Sequence, residues 1–476
     1  MVHFRISLEG KPVPCWISIK DHKGTPIIPL GWNPSPLVGG ECPAQHLVNN
    51  EIYCASNGGF EIPIQPGIHS VHVLAKPGIA AWKGQIEILV GQLAVRIALT
   101  KAPSEPLGWF AVDLRTHGLS PKAALLEAEA SGMNLVQMLA AAHWPETSPP
   151  KEPNYAQLVE FSGTQAALES SRSSIIVNTL NRHPDLGSVS LLHSHRPIYP
   201  WFSGWKKNET PWSIQDWCHQ CHRIKGVVIW PELDPQLPEY EALAGVVNGD
   251  IDGIELCASL GKSVLTPESR LNRIYSLWTA GIACGIVGSS GKCNNQIRLG
   301  QSFTWIKIGD SALPTIGLPL DRIMALIKKG KGTASNGPLL GLGKGPGVAQ
   351  AFVDFIGPNT LLEWISEEGV IGSQPLEPGL FQTISMETLS IKNWLSCRIV
   401  DNNGSLLAHS SMIQGPDFGQ TDGIWDNQIL KKTLRQGLEW NQENGNTQGP
   451  SLQNQLANYL QKALNLMESN PANRKQ

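Results

Sequence analysis

The sequence predicts an α/β protein in which a parallel, barrel-like β/α domain follows an N-terminal antiparallel β-sandwich and precedes a C-terminal β extension with two helices. Three observations predict this class: short alternating apolar runs in residues 1–103, repeated strand and helix patterns in residues 106–345, and leucines at four-residue steps near the end. The 476 residues suffice for about three domains, each with its own core.

The composition excludes several classes of partner. Charged residues make up only 16% of the chain, and 37 Lys and Arg nearly balance 40 Asp and Glu. We therefore expect no general attraction to nucleic acid or to an acidic membrane. The apolar runs are far shorter than the roughly 20 residues of a spanning helix. Because residues 1–10 alternate like a strand and nine cysteines are thinly spread, we expect an unprocessed cytoplasmic protein with no membrane segment.

The first two domains differ in their periodicity. Residues 1–103 alternate with period two between Gly, Pro and Asn turns, as strands of an antiparallel β-sandwich do. From residue 106 to 345, strands alternate with helices, which favours a parallel sheet. The first helix has Ser120 as N-cap, Pro121 at its first position and Gly132 just past its end, with Glu127 and Glu129 expected on its solvated side.

Further helices are predicted from Ser213, from 270 to 280 and from 321 to 329. Residues 346–415 return to β character, with 401–404 as a hairpin turn. Residues 416–476 contain two amphipathic helices, whose apolar faces are marked by Leu430, Leu434, Leu438, Leu452, Leu456, Leu460 and Leu464.

Three local motifs each allow a chemical and a structural interpretation. Cys218, Cys221 and His222 match the haem-attachment spacing, but the two sulfurs fall on the apolar stripe of a helix, so we expect core cysteines and no haem. Residues 288–292 resemble a phosphate loop with the wrong spacing, which leaves either an anion contact or a plain turn. The aromatic run either stacks on a ligand or anchors a loop, and it comprises Trp201, Phe202, Trp205, Trp212 and Trp217.

A more informative pattern is distributed over the strand ends. Active groups of β/α barrels lie where strands end, and imidazoles with carboxylates at these places suit a metal-hydroxide hydrolase. The polar residues that follow the predicted strands are Asp113, Arg115, His117, His143, His193, His195, Glu232 and Lys292.

Several framework segments, together spanning roughly residues 106–415, resemble the carbaryl-hydrolase-like (CehA/McbA) branch of the polymerase-and-histidinol-phosphatase (PHP) metallohydrolases. The segments are 113–117, 222–231, 288–292, 336–340, 393–398 and 408–411. This resemblance implies a distorted PHP-type β/α barrel with two or three divalent metals. Those metals activate a hydroxide against phosphoesters, esters or carbamates.

The metal motifs of that family are largely replaced in this sequence. Its opening D-x-H-x-H keeps Asp113 and His117 but has Arg115 in place of the first His. Its later T-D-H, G-H and G-S-D motifs fall on 139–141, 187–188 and 288–290, and its W-P-H motif ends on Glu232. The residual ligand set for one zinc or manganese ion is Asp113, His117, His195 and Glu232.

These departures lead to one leading hypothesis and two alternatives. We expect a PHP-type hydrolase homologue that has lost its metal centre and binds a small anionic molecule without turnover, through Arg115, Lys292, His117 and His195. The first alternative is an active single-metal hydrolase of esters, carbamates or phosphoesters. The second is a carbohydrate- or protein-interaction module that uses the Trp-rich loop.

Overall fold

The computed structural model describes residues 1–32, 45–48, 51–101, 107–141, 156–204, 211–231, 239–257, 268–309, 319–388, 391–420, 425, 427–445 and 449–469. These residues form a mixed α/β protein with many more strands than helices. No helix among them is both long and apolar enough to cross a membrane.

Two sheets with a shared apolar core form the N-terminal region. Its strands are β1 (Val2–Leu8), β2 (Lys11–Pro12), β3 (Cys15–Lys20), β4 (Gln45–Val48), β5 (Glu51–Ser56), β6 (Gly59–Ile62), β7 (Gly67–Ala75), β8 (Trp82–Ile88) and β9 (Ala94–Leu99). One sheet has the order β2-β1-β6, and the other has the order β4-β5-β3-β7-β8. The predicted antiparallel arrangement holds except at β9, which pairs with β1 in parallel. Phe4, Ile17 and Val73 lie in the core between the sheets.

The central region alternates strands and helices as the sequence predicts. Its elements are β10 (Trp109–Thr116), α1 (Pro121–Ser131), β11 (Leu135–Ala140), β12 (Leu168–Glu169), β13 (Ser174–His183), β14 (Gly187–Leu192), α2 (Ile214–Arg223), β15 (Val227–Trp230), α3 (Tyr240–Asn248), β16 (Gly253–Cys257), α4 (Glu268–Thr279), β17 (Gly285–Ser289), β18 (Phe303–Lys307), α5 (Leu320–Lys328) and β19 (Gly332–Ser335). A 3-10 helix covers Ala156–Glu160. Helix α3 was not expected from the sequence.

Both predicted helix starts are confirmed. The Ser120 hydroxyl accepts a hydrogen bond from the Ala123 N–H, and Gly132 ends α1 in a left-handed conformation. Ser213 and Asp216 form a reciprocal capping box at the start of α2.

The central sheet has the order β17-β16-β15-β14-β13-β11-β10-β18-β19. Neighbours are parallel from β10 through β11 to β13 and from β15 through β16 to β17. Strand β14, however, is antiparallel to both β13 and β15, and β18 is antiparallel to both β10 and β19, contrary to the prediction of a parallel sheet. An isolated bridge between Thr116 and Lys292 brings the segment after β17 against the end of β10. The ends of β10 and β17 therefore lie close to each other.

The C-terminal strands continue the same sheet. The elements of the C-terminal region are β20 (Leu339–Gly345), β21 (Val348–Asp354), β22 (Thr360–Ser366), β23 (Gly369–Pro375), β24 (Gln382–Glu387), β25 (Trp394–Asp401), β26 (Leu406–Ser410), β27 (Ile413–Gln414), α6 (Gln428–Asn444) and α7 (Pro450–Glu468). Strands β26, β25, β22 and β23 extend the central sheet from β19, while β20, β21 and β24 form a separate sheet.

Helices α6 and α7 confirm the predicted amphipathic pair. Leu430, Leu434, Leu456 and Leu460 are buried in the core that also holds residues of α2, α3 and α4.

Candidate functional site

A buried ion pair joins the end of β10 to the middle of β16. Arg115 donates from Nε and Nη2 to the two carboxylate oxygens of Glu255, with nitrogen–oxygen distances of 2.7–3.1 Å. The side chains are 4% and 1% exposed. Strand alternation explains the position of Glu255, because its neighbours Ile254 and Leu256 pack into the helix-covered core on the other face. The guanidinium is therefore held by an internal carboxylate in bidentate geometry.

Asp113 lies two residues before Arg115 and faces the segment after β17. Its Oδ1 accepts hydrogen bonds from the Ser290 N–H at 3.0 Å and the Arg115 N–H at 3.4 Å, and its Oδ2 accepts one from the Gly300 N–H at 3.0 Å. Burial raises the pKa of the Asp113 carboxyl to about 6, against the opposing effect of hydrogen bonds from Ser290 and from the backbone. Both oxygens are thus engaged by the chain itself.

His117 bonds to the backbone of β11 and of the segment after β17. Its Nδ1 lies 2.8 Å from the Leu139 carbonyl oxygen, which fixes the proton on Nδ1 because a carbonyl can only accept. Its backbone N–H donates to the Lys292 carbonyl at 2.7 Å. His117 therefore connects β10 with β11 and with the segment after β17.

Lys292 is fully buried rather than exposed to a pocket. Its Nζ donates to the carbonyl oxygens of Ile297 at 2.9 Å and Asn294 at 3.2 Å, and it lies 3.4 Å from a carboxylate oxygen of Glu127. Burial raises the pKa of Glu127, and the Lys292 charge opposes this shift. The prediction that Glu127 lies on the solvated side of α1 is wrong, because Glu127 is fully buried against the loop that carries Lys292.

His193 and His195 do not join this constellation. The sequence placed them with the other strand ends, but β14 runs antiparallel to its neighbours, so its last residue Leu192 pairs with Val227, the first residue of β15. His193 Nε2 lies 2.9 Å from Asp321 Oδ1, and the side chain of Asp321 is 94% exposed. His195 is exposed to solvent. His143 and Glu232 lie outside the described residues.

The metal centre implied by the resemblance does not fit the donors that the structure brings together. Arg115 occupies the place of an imidazole ligand and pairs with Glu255, while both oxygens of Asp113 accept backbone N–H groups. Among the described residues, no group of three or more His, Cys, Asp or Glu side chains is arranged to hold a metal ion. We therefore assign no reaction step to a metal.

The glycine-containing segment 288–292 comprises the end of β17 and the three residues after it, whose backbone N–H groups serve internal acceptors. Ser290 N–H donates to Asp113, Gly291 N–H donates to the Arg115 carbonyl, and Lys292 N–H donates to Ser290 Oγ. Of the two interpretations of this segment, the plain turn agrees with these contacts.

The cysteine motif is part of the core. Cys218 and Cys221 are fully buried on the apolar face of α2, as expected, and burial raises the pKa of both thiols. His222 Nε2 lies 2.9 Å from Asp252 Oδ2. These neighbours explain the motif without a haem or a metal.

The described residues of the aromatic run are buried or partly buried. Trp217 is fully buried, with its Nε1 donating to the Pro200 carbonyl at 2.7 Å, and the partly buried Trp212 packs against the same core. Trp205 lies outside the described residues. Trp212 and Trp217 thus anchor the loop, which contradicts a stacking platform built from the whole run.

Sequence reasoning missed Glu255, which completes the ion pair. One signal was present: Glu255 is the single charged residue in the segment 253–257, and a lone carboxylate within an apolar strand calls for a buried partner.

A comparison with protein-family models finds none that matches the chain, and a comparison with curated proteins finds no match.

Proposed function

We propose that the chain is a CehA/McbA-like PHP hydrolase homologue whose central region is a distorted β/α barrel without a metal centre. The strand order and the Thr116–Lys292 bridge support this architecture, because they bring β10 and the segment after β17 together. A cluster of apolar side chains from β10, β11, β13, β14, β15 and β17 packs against α5, as expected for a filled interior. The function that we propose is ligand binding without hydrolysis.

The single observation that carries this proposal is the Arg115–Glu255 pair. A guanidinium about 4 Å from a divalent ion opposes binding by roughly 8 kcal/mol at an effective dielectric constant of about 20. While Glu255 stays on Arg115 its charge offsets much of this repulsion, but a carboxylate engaged in a bidentate pair is a poor metal ligand. If Glu255 turned to the ion instead, the buried guanidinium would lose its carboxylate, which is costly. The pair therefore disfavours a cation at this position whether Glu255 stays or moves.

The same pair limits where an anionic ligand can bind. Arg115 faces Glu255, and Lys292 faces Glu127 and two carbonyl oxygens, so both cations expected to line the pocket are already compensated within the chain. An anion bound at either residue would have to displace a buried carboxylate. The expectation that Arg115 and Lys292 line the pocket of an anionic ligand is therefore corrected. Such a ligand needs other cations of this chain.

Two measurements test the proposal. Calorimetric titration with zinc and manganese measures metal binding, and assays with 4-nitrophenyl acetate and 4-nitrophenyl phosphate measure hydrolysis. We expect no stoichiometric metal binding. We also expect the wild type to hydrolyse neither compound faster than the control variant His195→Ala, which changes an exposed residue. Saturable binding of one metal together with chelator-sensitive hydrolysis, both lost in His117→Ala, would instead establish the single-metal hydrolase.

A further inference from the structure

A cleft of about 260 Å³ lies where the N-terminal region meets the central and C-terminal regions. Residues 8–13 form one wall, residues 76–79 with Lys101 form a second, and Arg172 and Phe355 complete it. Every residue of this junction cleft belongs to the described part of the chain. Ligand sites favour such boundaries between regions.

The charge of the junction cleft differs from that of the whole protein. Four cationic side chains line it, namely Lys11, Lys76, Lys101 and Arg172, against one carboxylate, Glu9. The chain as a whole has a formal charge of −3. Cations gathered in a recess raise the local concentration of anions, since the low-dielectric walls focus the field.

The cleft also has an apolar floor. Val13 and Ile79 are buried beneath it, and Phe355 and the prolines at 12 and 77 add apolar surface. A ligand that fits both features carries a negative group on an apolar body. The volume is below the roughly 300–1,000 Å³ of sites for drug-sized ligands, so the body is small.

Several close contacts fix the walls of the cleft. Trp16 Nε1 donates to Ser131 Oγ, which donates to the Leu299 carbonyl at 2.7 Å, so the N-terminal region is hydrogen-bonded to α1 and to the loop before β18. Gly132 approaches the second wall so closely that a Cβ there would lie 2.4 Å from Lys76 Cβ. The backbone segments that carry the cations are thus held together at the junction, while the side chains of Lys11, Lys101 and Arg172 are exposed to solvent.

We propose that the junction cleft binds a small organic phosphate, with the phosphate among the four cations and the apolar body on Val13, Ile79 and Phe355. The cleft shares no residue with the Arg115 site, so this inference goes beyond the proposed function and does not depend on it.

Calorimetric titration with phenyl phosphate at low ionic strength tests the inference. We expect saturable binding that is at least tenfold tighter than that of inorganic phosphate, which lacks the body, and of phenol, which lacks the charge. The variant Lys11→Glu/Arg172→Glu should weaken phenyl phosphate binding at least tenfold, because both side chains are exposed and the change reverses two charges.

The matched control Lys122→Glu/Lys432→Glu reverses two exposed charges on α1 and α6, and it should bind within twofold of the wild type. Circular dichroism checks that both variants keep the fold. The inference is overturned if phenyl phosphate gives no saturable heat, or if the cleft variant and the control bind it equally.

Discussion

The two buried cations near the strand ends, Arg115 and Lys292, are compensated in different ways. Arg115 forms a bidentate pair with Glu255 at 2.7–3.1 Å, across the sheet from β10 to β16. Lys292 has its shortest contact with the Ile297 carbonyl at 2.9 Å, and its carboxylate partner Glu127 lies farther away, at 3.4 Å.

This difference shows that burying a cation serves two purposes in one molecule. The guanidinium of Arg115 compensates the charge of Glu255 within the sheet. The ammonium of Lys292 mainly ties the loop of residues 292–297 together, and it attaches that loop to α1 through Glu127. Asp113 connects both regions, because it precedes Arg115 and accepts hydrogen bonds on either side of Lys292.

The largest effect should follow from breaking the Arg115 pair on one side. Glu255→Leu leaves a buried guanidinium without its carboxylate and should lower the free energy of unfolding by about 3–5 kcal/mol. The double variant Arg115→Met/Glu255→Leu should recover most of this loss, since it buries no charge. Urea denaturation of the two variants and the wild type measures the difference.

The exposed pair Arg435–Glu468 provides the control for that experiment. Its side chains are 53% and 44% exposed, so Glu468→Leu should cost less than about 1 kcal/mol. Equal losses for Glu255→Leu and Glu468→Leu would mean that the Arg115 pair has no special role.

The second effect should be a pH dependence of the free energy of unfolding that is caused by Asp113. Because burial raises its pKa to about 6 in the folded state, the folded protein keeps a proton that the unfolded chain loses above its pKa of 3.8. The stabilisation is therefore complete below pH 3.8 and is lost as the pH rises through 6.

Asp113→Asn removes this titration. Its free energy of unfolding, relative to that of the wild type, should rise by about 2 kcal/mol between pH 4 and pH 7. Urea denaturation at four pH values measures it. A difference that stays constant with pH would show that Asp113 does not titrate in this range.

The Lys292 cluster should respond unequally to changes in its two partners. Lys292→Met removes a donor from two carbonyl oxygens and leaves Glu127 buried, so we expect a loss of about 2–3 kcal/mol. Glu127→Gln should cost only about 1 kcal/mol, because Lys292 keeps both carbonyls and burial already favours the neutral form of Glu127. Thermal denaturation compares the two, and equal losses would favour a true ion pair like that of Arg115.

The smallest effects should follow changes at the two histidines of the β14 end. His193 has a φ of 55°, so Asn, which tolerates this conformation, is the suitable replacement. His195 is exposed, so His195→Ala should change the free energy of unfolding by less than about 0.5 kcal/mol. The side chain of His193 is only 12% exposed and contacts Asp321, so His193→Asn should cost about 1 kcal/mol. A loss above 2 kcal/mol in either variant would place that histidine in the internal network.

The features predicted correctly from the sequence depend on local signals. Ser120 and Gly132 delimit α1, and Ser213 starts α2, because capping needs only residues within one turn. The core position of Cys218 and Cys221 follows from helical spacing alone.

The errors concern contacts between distant segments. The direction of β14 leaves no trace in its apolar pattern, so the sequence placed His193 and His195 at the wrong strand ends. The burial of Glu127 depends on the packing of the loop that carries Lys292 against α1, and the pairing of Arg115 with Glu255 joins residues 140 positions apart. Neither is visible in the periodicity of one element.

Elemental analysis of the full chain, purified from cells grown with added zinc and manganese, tests the central claim most directly. The account predicts less than about one tenth of an ion per chain, unchanged in His117→Ala, because the Arg115–Glu255 pair disfavours a cation at the strand ends. One bound ion per chain in the wild type, absent from His117→Ala, would contradict it.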